Sequence, residues 1–249
     1  NIESIMIYYC ISLASETGRR SYINEQFAHH RLNVIFFDAV CPSKNQFPGI
    51  YQQKDRLNLY GRDLSRGEMG CYLSHQAVWA AFLQTDENHC CVLEDDSELA
   101  ENFASILTQL LDIHSCWDLV RLAGTFPRKG RTIAQVNNKH QLVEYLEQPR
   151  GTLAYIINRK AATALLKHTE KMTHAIDDSI DQIWGHQLRT YGLEPYTVKE
   201  SSQFQSSIGC RKRPKLSKFS KLKRELYKSK YSVKKKLWQC KTWLRWMLT

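Results

Sequence analysis

His89-Cys90-Cys91-Val92-Leu93-Glu94-Asp95-Asp96 sets a short apolar run against three consecutive acids. Residues 89–93 have the length and apolar character of a strand buried on both faces, as in a parallel sheet. The acids end that strand abruptly, so the charge falls at its carboxyl edge. Upstream, Ile5 to Leu13 reads as a second buried strand. A helix from about Arg19 to His29 follows, and then the strand Asn33-Val34-Ile35-Phe36-Phe37, ending at Asp38. This β-α-β order predicts parallel pairing across a crossover. Downstream come a helix near 100–112, the strand 117–122 and the strand Leu153–Ile157. Helices near 159–169 and 177–190 follow, with an edge strand over 195–199. The predicted fold class is α/β, an open and mostly parallel sheet flanked by helices.

Two stretches read as loops: 41–62, with Pro42, Pro48, Gly49 and Gly61, and the polar stretch 123–140. Between them Ser65-Arg66-Gly67-Glu68 has the form of a capping box, in which Ser65 accepts from the Glu68 amide and the Glu68 carboxylate reaches back. It predicts a helix over 66–84. Ligands of open α/β sheets sit beyond the carboxyl ends of the strands. The candidates there are Ser12 to Arg19, Glu94 to Asp96, and Gly151-Thr152 before the strand Leu153–Ile157.

The 249 residues carry a net charge of +10, and that charge is segregated. Residues 211–249 hold 15 Lys and Arg against Glu225 alone, which leaves 20 basic and 24 acidic residues in 1–210. A nucleic-acid-binding fold carries its positive footprint across the folded domain, so the expectation is no nucleic-acid partner. A hydrophobic content of 43% supplies a full core and excludes a disordered chain. The eight cysteines form no CxxC and no zinc spacing, and Cys10, Cys90 and Cys91 lie in apolar runs. This pattern favours a reducing compartment. No stretch has a signal-peptide or membrane-span pattern, so a cytoplasmic location is expected.

Three acids at a strand edge, where carbonyls also converge, favour a compensating cation. Their hard oxygens suit Mg²⁺ or Mn²⁺. Alternation along extended backbone sends Glu94 and Asp96 to one side. A solvated acidic turn capping the helix near 100 is the plainer alternative. A second acidic group, Asp177-Asp178-Ser179-Ile180-Asp181, stands at a helix start, where acids are common for the same reason.

Several blocks together resemble glycosyltransferase family 25. They are Ile11-Ser12-Leu13-Ala14-Ser15 with Arg19-Arg20, then Phe36-Phe37-Asp38-Ala39, then Gly67-Glu68-Met69-Gly70-Cys71-Tyr72-Leu73-Ser74-His75 with Trp79. Val92-Leu93-Glu94-Asp95-Asp96-Ser97-Glu98-Leu99 and Gly151-Thr152-Leu153-Ala154-Tyr155-Ile156-Ile157 with Arg159-Lys160-Ala161 complete the set. The family includes lipooligosaccharide galactosyl- and glucosyltransferases and collagen galactosyltransferases. The resemblance spans roughly residues 5–210. It implies a GT-A nucleotide-binding fold over 1–210, a UDP-sugar donor and inverting transfer of galactose or glucose to a lipid-linked oligosaccharide.

On the family pattern Glu94-Asp95-Asp96 takes the place of the D-x-D motif. Asp96 is the main metal ligand, with Glu94 and Asp95 on metal or ribose. Ser12, Leu13, Ala14 and Ser15 hold the uridine. Arg19 meets the donor or is an exposed helix residue. Glu68 and His75 touch the donor or are structural, and Gly151 and Thr152 let the backbone approach a sugar. The base is Asp177, with Asp178 as rival, since this chain lacks the Pro common before that site. Many members carry a His within the segment corresponding to 200–209, where this chain offers Gln203 and Gln205.

The tail 211–249 repeats Phe219, Leu222, Leu226, Val233, Leu237, Cys240, Leu244 and Met247 at helical spacing among lysines, with Trp238, Trp243 and Trp246 near its end. A basic amphipathic helix with terminal Trp binds membrane interfaces. The expectation is a peripheral protein on the anionic inner face of a bacterial inner membrane. The alternative is a helix packed on its own domain. Removing the tail is expected to spare turnover of a soluble acceptor. Two rival readings are a surface adaptor that binds sugar nucleotide without turnover, and a metal-dependent phosphohydrolase.

Overall fold

The computed structural model describes residues 6–43, 45–204 and 218–248. Ile5, Gln205, Cys210 and the start of the basic tail lie outside the described residues. In chain order the elements are β1 (Met6–Ser12), α1 (Thr17–His29), β2 (Ile35–Asp38), α2 (Gln53–Tyr60), α3 (Arg66–Leu83) and β3 (His89–Glu94). Next come β4 (Ser97–Leu99), α4 (Phe103–Asp112), β5 (Leu119–Arg121), β6 (Gly130–Gln135), β7 (Gln141–Tyr145) and β8 (Ala154–Asn158). The chain continues through α5 (Arg159–His168), α6 (Ile176–Ile180), α7 (Ile183–His186), β9 (Thr190–Glu194), β10 (Val198–Glu200) and α8 (Lys218–Leu248).

Eight strands form one sheet in the order β2-β1-β3-β8-β5-β9-β7-β6, and β4 pairs with β10 in a small second sheet. β1 lies parallel to both β2 and β3, as the β-α-β reading requires. β8 is antiparallel to β3 and β5, and β7 is antiparallel to β9 and β6. The remaining strands therefore share one direction, and the sheet is mostly parallel. The inverted β8 decides the site. Leu93 pairs with Ala154, so the carboxyl end of β3 meets the amino end of β8 and brings Thr152 beside Glu94.

The period-two alternation of strand side chains divides the core into two layers. Cys90 and Val92 pack with Tyr9, Tyr155, Ile157 and, from α3 and α5, Trp79, Phe82 and Leu165. Cys91 and Leu93 pack on the other face with Cys10, Ile156 and, from α1 and α4, Phe27, Phe103 and Leu107. All of these are fully buried or nearly so. Each large side chain withdrawn from water contributes about 1.5–3 kcal/mol. The three thiols Cys10, Cys90 and Cys91 thus serve as small hydrophobes.

Three stretches differ from the sequence reading. The loop expected over 41–62 contains α2. Its Arg56 is buried, lies 3.7 Å over the Tyr60 ring and donates to the carbonyls of Arg62 and Thr173. Gly61 in the left-handed region ends that helix. The polar stretch 123–140 contains β6, an edge strand that tolerates exposure because β7 buries Leu142, Val143 and Tyr145 beneath it. The single helix expected over 177–190 breaks into α6, α7 and the strand β9. The Ile180 carbonyl accepts from the His186 ring instead of from a continuing helix, and Asp181 turns to Arg121.

α8 lies against the domain by one face. Gln239 donates to the Leu146 carbonyl, Trp246 Nε1 donates to Glu144, Lys235 pairs with Glu147, and Thr242 is buried. No described helix is long and apolar enough to cross a membrane.

Candidate active site

Glu94, Asp95 and Asp96 fan outward at the end of β3. Asp95 turns to the α1 side, where its carboxylate accepts from Ser12 Oγ at 2.7 Å and from Arg19 at 2.8 Å. Arg19 is therefore buried, and its plane lies 5.1 Å over the Phe204 ring; it is no exposed helix residue. Glu94 and Asp96 both open into one cavity of about 950 Å³, the same-side placement expected of them.

The cavity lining is strongly acidic. Glu68, Glu94, Asp96, Glu98, Glu101, Asp177 and Glu200 line it, against Arg150 and Lys199. Asp96 shows the consequence. Its Oδ1 is buried without a hydrogen-bond partner, and the nearest cation, Arg19, stands 4.0 Å from Oδ2. Burial, then the Glu94 and Asp95 charges, push its carboxyl up to about 6 against the opposing pull of Arg19. A diphosphate would enter such a space only with positive charge beside it. The oxygen donors of Glu94 and Asp96 fit a hard divalent cation. A second set, Cys71, His75 and Glu94, brings ligand atoms within 4.8 Å of one another. Burial pushes the Cys71 thiol well up, so it stays protonated and is a poor ligand for a hard ion.

Behind Glu94 runs a buried relay. Trp79 Nε1 donates to Tyr155 Oη at 2.8 Å, and Tyr155 Oη lies 2.7 Å from His75 Nδ1. Indole is a donor only, so the Tyr155 proton points to Nδ1 and the His75 proton sits on Nε2. That nitrogen faces Glu94 Oε1 at 3.5 Å. Thr152 donates to the same oxygen at 2.5 Å. Burial alone would raise the Glu94 carboxyl, but His75 and Thr152 outweigh it and hold it below the usual range. His75 is fully buried behind Glu94, a placement that matches the structural one of its two expected roles.

Glu68 completes its capping box and is also gripped by both Arg62 nitrogens at 2.9 Å. It still lines the cavity. Leu13, Ala14 and Ser15 form the turn after β1, with Ala14 and Ser15 exposed and away from the cavity lining. Gly151 holds φ +85°, and a Cβ there would stand 2.8 Å from Thr125 Oγ1. Its carbonyl accepts from Arg121. Gln203 is exposed on a turn outside this lining.

Asp177 lines the large cavity and also an adjoining one of about 360 Å³. Asp178 opens only into the smaller. Burial and the neighbouring Asp177 charge raise its carboxyl, and Tyr60 Oη approaches it at 3.5 Å. The sequence reading missed Arg121, the buried partner of Asp181, as well as Arg62 and the Trp79–Tyr155 pair. A charge inside the apolar run Leu119-Val120-Arg121-Leu122 was the one available signal.

The profile of glycosyltransferase family 25 (LPS biosynthesis protein) matches residues 6–180. The lipooligosaccharide biosynthesis protein lic2B of Haemophilus influenzae is 29% identical over 79% of this chain and 77% of its own length. The lacto-N-neotetraose biosynthesis glycosyltransferase LgtB of Neisseria meningitidis serogroup B is 28% identical over 61% of this chain, which spans 58% of that protein. Procollagen galactosyltransferase 1 of Danio rerio is 27% identical over 72% of this chain and 33% of its own length. Among solved structures, a glycosyltransferase involved in glycosylation of the major capsid of PBCV-1 aligns over 90% of this chain and 98% of its own, with 8% identity and a TM-score of 0.47. The family profile covers most of the chain and includes β1, β3, β8 and the acids that meet between them, and on that match the chain belongs to glycosyltransferase family 25.

Proposed function

We propose that the chain is an inverting hexosyltransferase that moves galactose or glucose from a UDP-sugar to a lipid-linked oligosaccharide. The carrying observation is the meeting of Glu94, Asp96 and Asp177 on one acidic cavity. Glu94 and Asp96 would hold Mg²⁺ or Mn²⁺, whose charge offsets that of a diphosphate leaving group. Arg19 and Ser12 keep Asp95 turned away from the cavity, and His75 with Thr152 keeps Glu94 ionised and in place.

Asp177 is the base, because it faces both the donor cavity and the adjoining space from which an acceptor would approach. The acceptor oxygen forms a bond to the anomeric carbon as the bond to the UDP oxygen breaks. UDP leaves with the electron pair, and the hydroxyl proton passes to Asp177. Attack opposite the leaving group inverts the anomeric centre.

The exposed face of α8 supports a membrane location. Val233, Leu237, Leu244, Met247 and Leu248 stand on the face opposite the docked residues, at 3.6 residues per turn. Exposed Lys234, Lys236 and Lys241 flank them. Leu237 is 58% and Leu248 86% exposed, values that a helix facing only water gains nothing from. An anionic leaflet contributes about 1 kcal/mol for each adjacent Lys or Arg. The side chains of Phe219, Leu222 and Leu226 lie outside the described residues.

The test is UDP release from UDP-galactose and UDP-glucose with Mn²⁺, comparing the native chain with Asp96→Ala. Loss of metal-dependent release with an unchanged circular dichroism spectrum is expected. Equal release by the variant would overturn the assignment. Release of sugar phosphate in place of UDP would instead identify a phosphohydrolase.

A further inference from the structure

The cavity of about 360 Å³ beside Asp177 is built partly by α8, an element beyond the family match at 6–180. It shares Glu68, Arg150, Ala175 and Asp177 with the large cavity, so the two are continuous at the proposed base. Trp184 of α7 and Trp238 of α8 stand together on its wall, ring centroids 6.5 Å apart and tilted by 51°. Both are half-buried and line the cavity. Lys235, three residues before Trp238 on the same helix, and Arg128 both reach Glu147, at 3.2 and 3.6 Å.

The charges around this cavity balance: Arg56, Arg62, Arg128, Arg150 and Lys235 against Glu68, Glu147, Asp177, Asp178 and Asp181. Such a lining does not select an anion. It offers fixed donors and acceptors beside an apolar aromatic wall. A sugar ring needs that combination, since it has a C–H face to lay on indole and a rim of hydroxyls that both donate and accept. The volume lies at the small end of the roughly 300–1,000 Å³ typical of ligand pockets, enough for a short saccharide.

We infer that this cavity is the acceptor subsite, that it takes an uncharged saccharide against Trp184 and Trp238, and that α8 is therefore a specificity element as well as a membrane contact. The inference rests on the transferase reading for the role of acceptor, but not for sugar binding itself. It reverses the expectation that the tail is dispensable with a soluble acceptor. Lys235, Trp238, Gln239 and Thr242 face the domain, while Leu237 and Leu244 face away, so one helix holds both the acceptor wall and the membrane face.

The experiment uses the full chain with galactose, glucose, N-acetylglucosamine and lactose as probes. Binding is followed by saturation-transfer NMR and titration in the presence of UDP, for native protein, Trp238→Ala and Trp238→Phe. UDP-sugar hydrolysis by water is measured in parallel. At least a tenfold loss of affinity for the bound probe is expected in Trp238→Ala, with recovery in Trp238→Phe and donor hydrolysis within about twofold of native. Native protein that binds none of the four probes refutes the subsite, as does unchanged affinity in Trp238→Ala. A parallel collapse of donor hydrolysis and thermal midpoint in Trp238→Ala would also refute it, by showing that the indole only holds the fold. Absent UDP release in native protein with each of the four sugars offered as acceptor, and Trp238-dependent sugar binding intact, defeats the transferase reading and leaves the saccharide site standing.

Discussion

Removing one oxygen from Tyr155 should destabilise this protein far more than the change in volume suggests. In Tyr155→Phe the ring remains and no cavity opens, so the effect isolates hydrogen bonding. The Tyr155 hydroxyl accepts from Trp79 Nε1 at 2.8 Å and pairs with His75 Nδ1 at 2.7 Å, and all three residues are buried. Water cannot replace the lost partner at either group. Each orphaned buried polar group costs about 1–3 kcal/mol, which places the total for the two at about 2–6 kcal/mol. That is a large share of the roughly 5–15 kcal/mol that holds a typical domain. With a urea slope near 3 kcal/mol per molar, suited to a chain of this size, the midpoint should fall by about 1 M at constant slope. The released His75 should also stop orienting Glu94, so turnover at native-like urea concentrations should fall without loss of secondary structure. A midpoint shift below about 0.3 M, at unchanged slope, would refute the relay as drawn.

Other perturbations reach the site or the fold separately. Asp177→Asn should retain UDP binding by calorimetry while transfer slows by about 10²–10⁴-fold, the range for loss of a general base; loss of UDP binding would count against that role. Gly151→Ala forces a Cβ onto a residue at φ +85° and within 2.8 Å of Thr125 Oγ1, so a loss of about 1–3 kcal/mol in urea melts is expected. Asp118 supplies the pH dependence. Burial alone would raise its carboxyl, but hydrogen bonds from Arg189, Lys160 and Asn158 outweigh that and hold it well below the usual range. The unfolded chain therefore takes this proton first as pH falls. The stability contributed by Asp118 is complete above about pH 4 and declines below it toward the folded value. Asp118→Asn should be less stable at neutral pH and show a flatter acid limb; an unchanged limb would remove Asp118 from the account.

Some of this molecule is written locally. Ser65 and Glu68 stand three residues apart, and a helix start satisfies both, so the capping box was legible and forms as read. The apolar run 90–93 ends in acids whichever strands flank it, and Glu94 and Asp96 open to one cavity as alternation predicts, although β3 stops at Glu94 and residues 95–96 form a turn. The spacing of Val233, Leu237, Leu244 and Met247 likewise fixes one helix face. Each of these depends on backbone geometry within a few residues. The helix α2 was hidden by the prolines and glycines around it, and the break after Ile180 by an unbroken helical pattern. In both cases the deciding contact, Arg56 with the Thr173 carbonyl or Asp181 with Arg121, comes from a distant part of the chain.

From the sequence alone came the α/β class, the acidic strand end, the second acidic group at 177–181 and the amphipathic tail. Tertiary structure alone decided which acid faces what. Asp95 is taken by Ser12 and Arg19 from β1 and α1, Glu94 by Thr152 and His75, and Asp96 is left with a bare buried oxygen. It also placed α8 so that Trp238 closes a cavity at Asp177. Those pairings span from 19 residues (His75 to Glu94) to 83 (Ser12 to Asp95) and depend on strand order, above all on the inverted β8 beside β3. Strand order follows from the packing of both core layers at once, and no short-range pattern of residues encodes it.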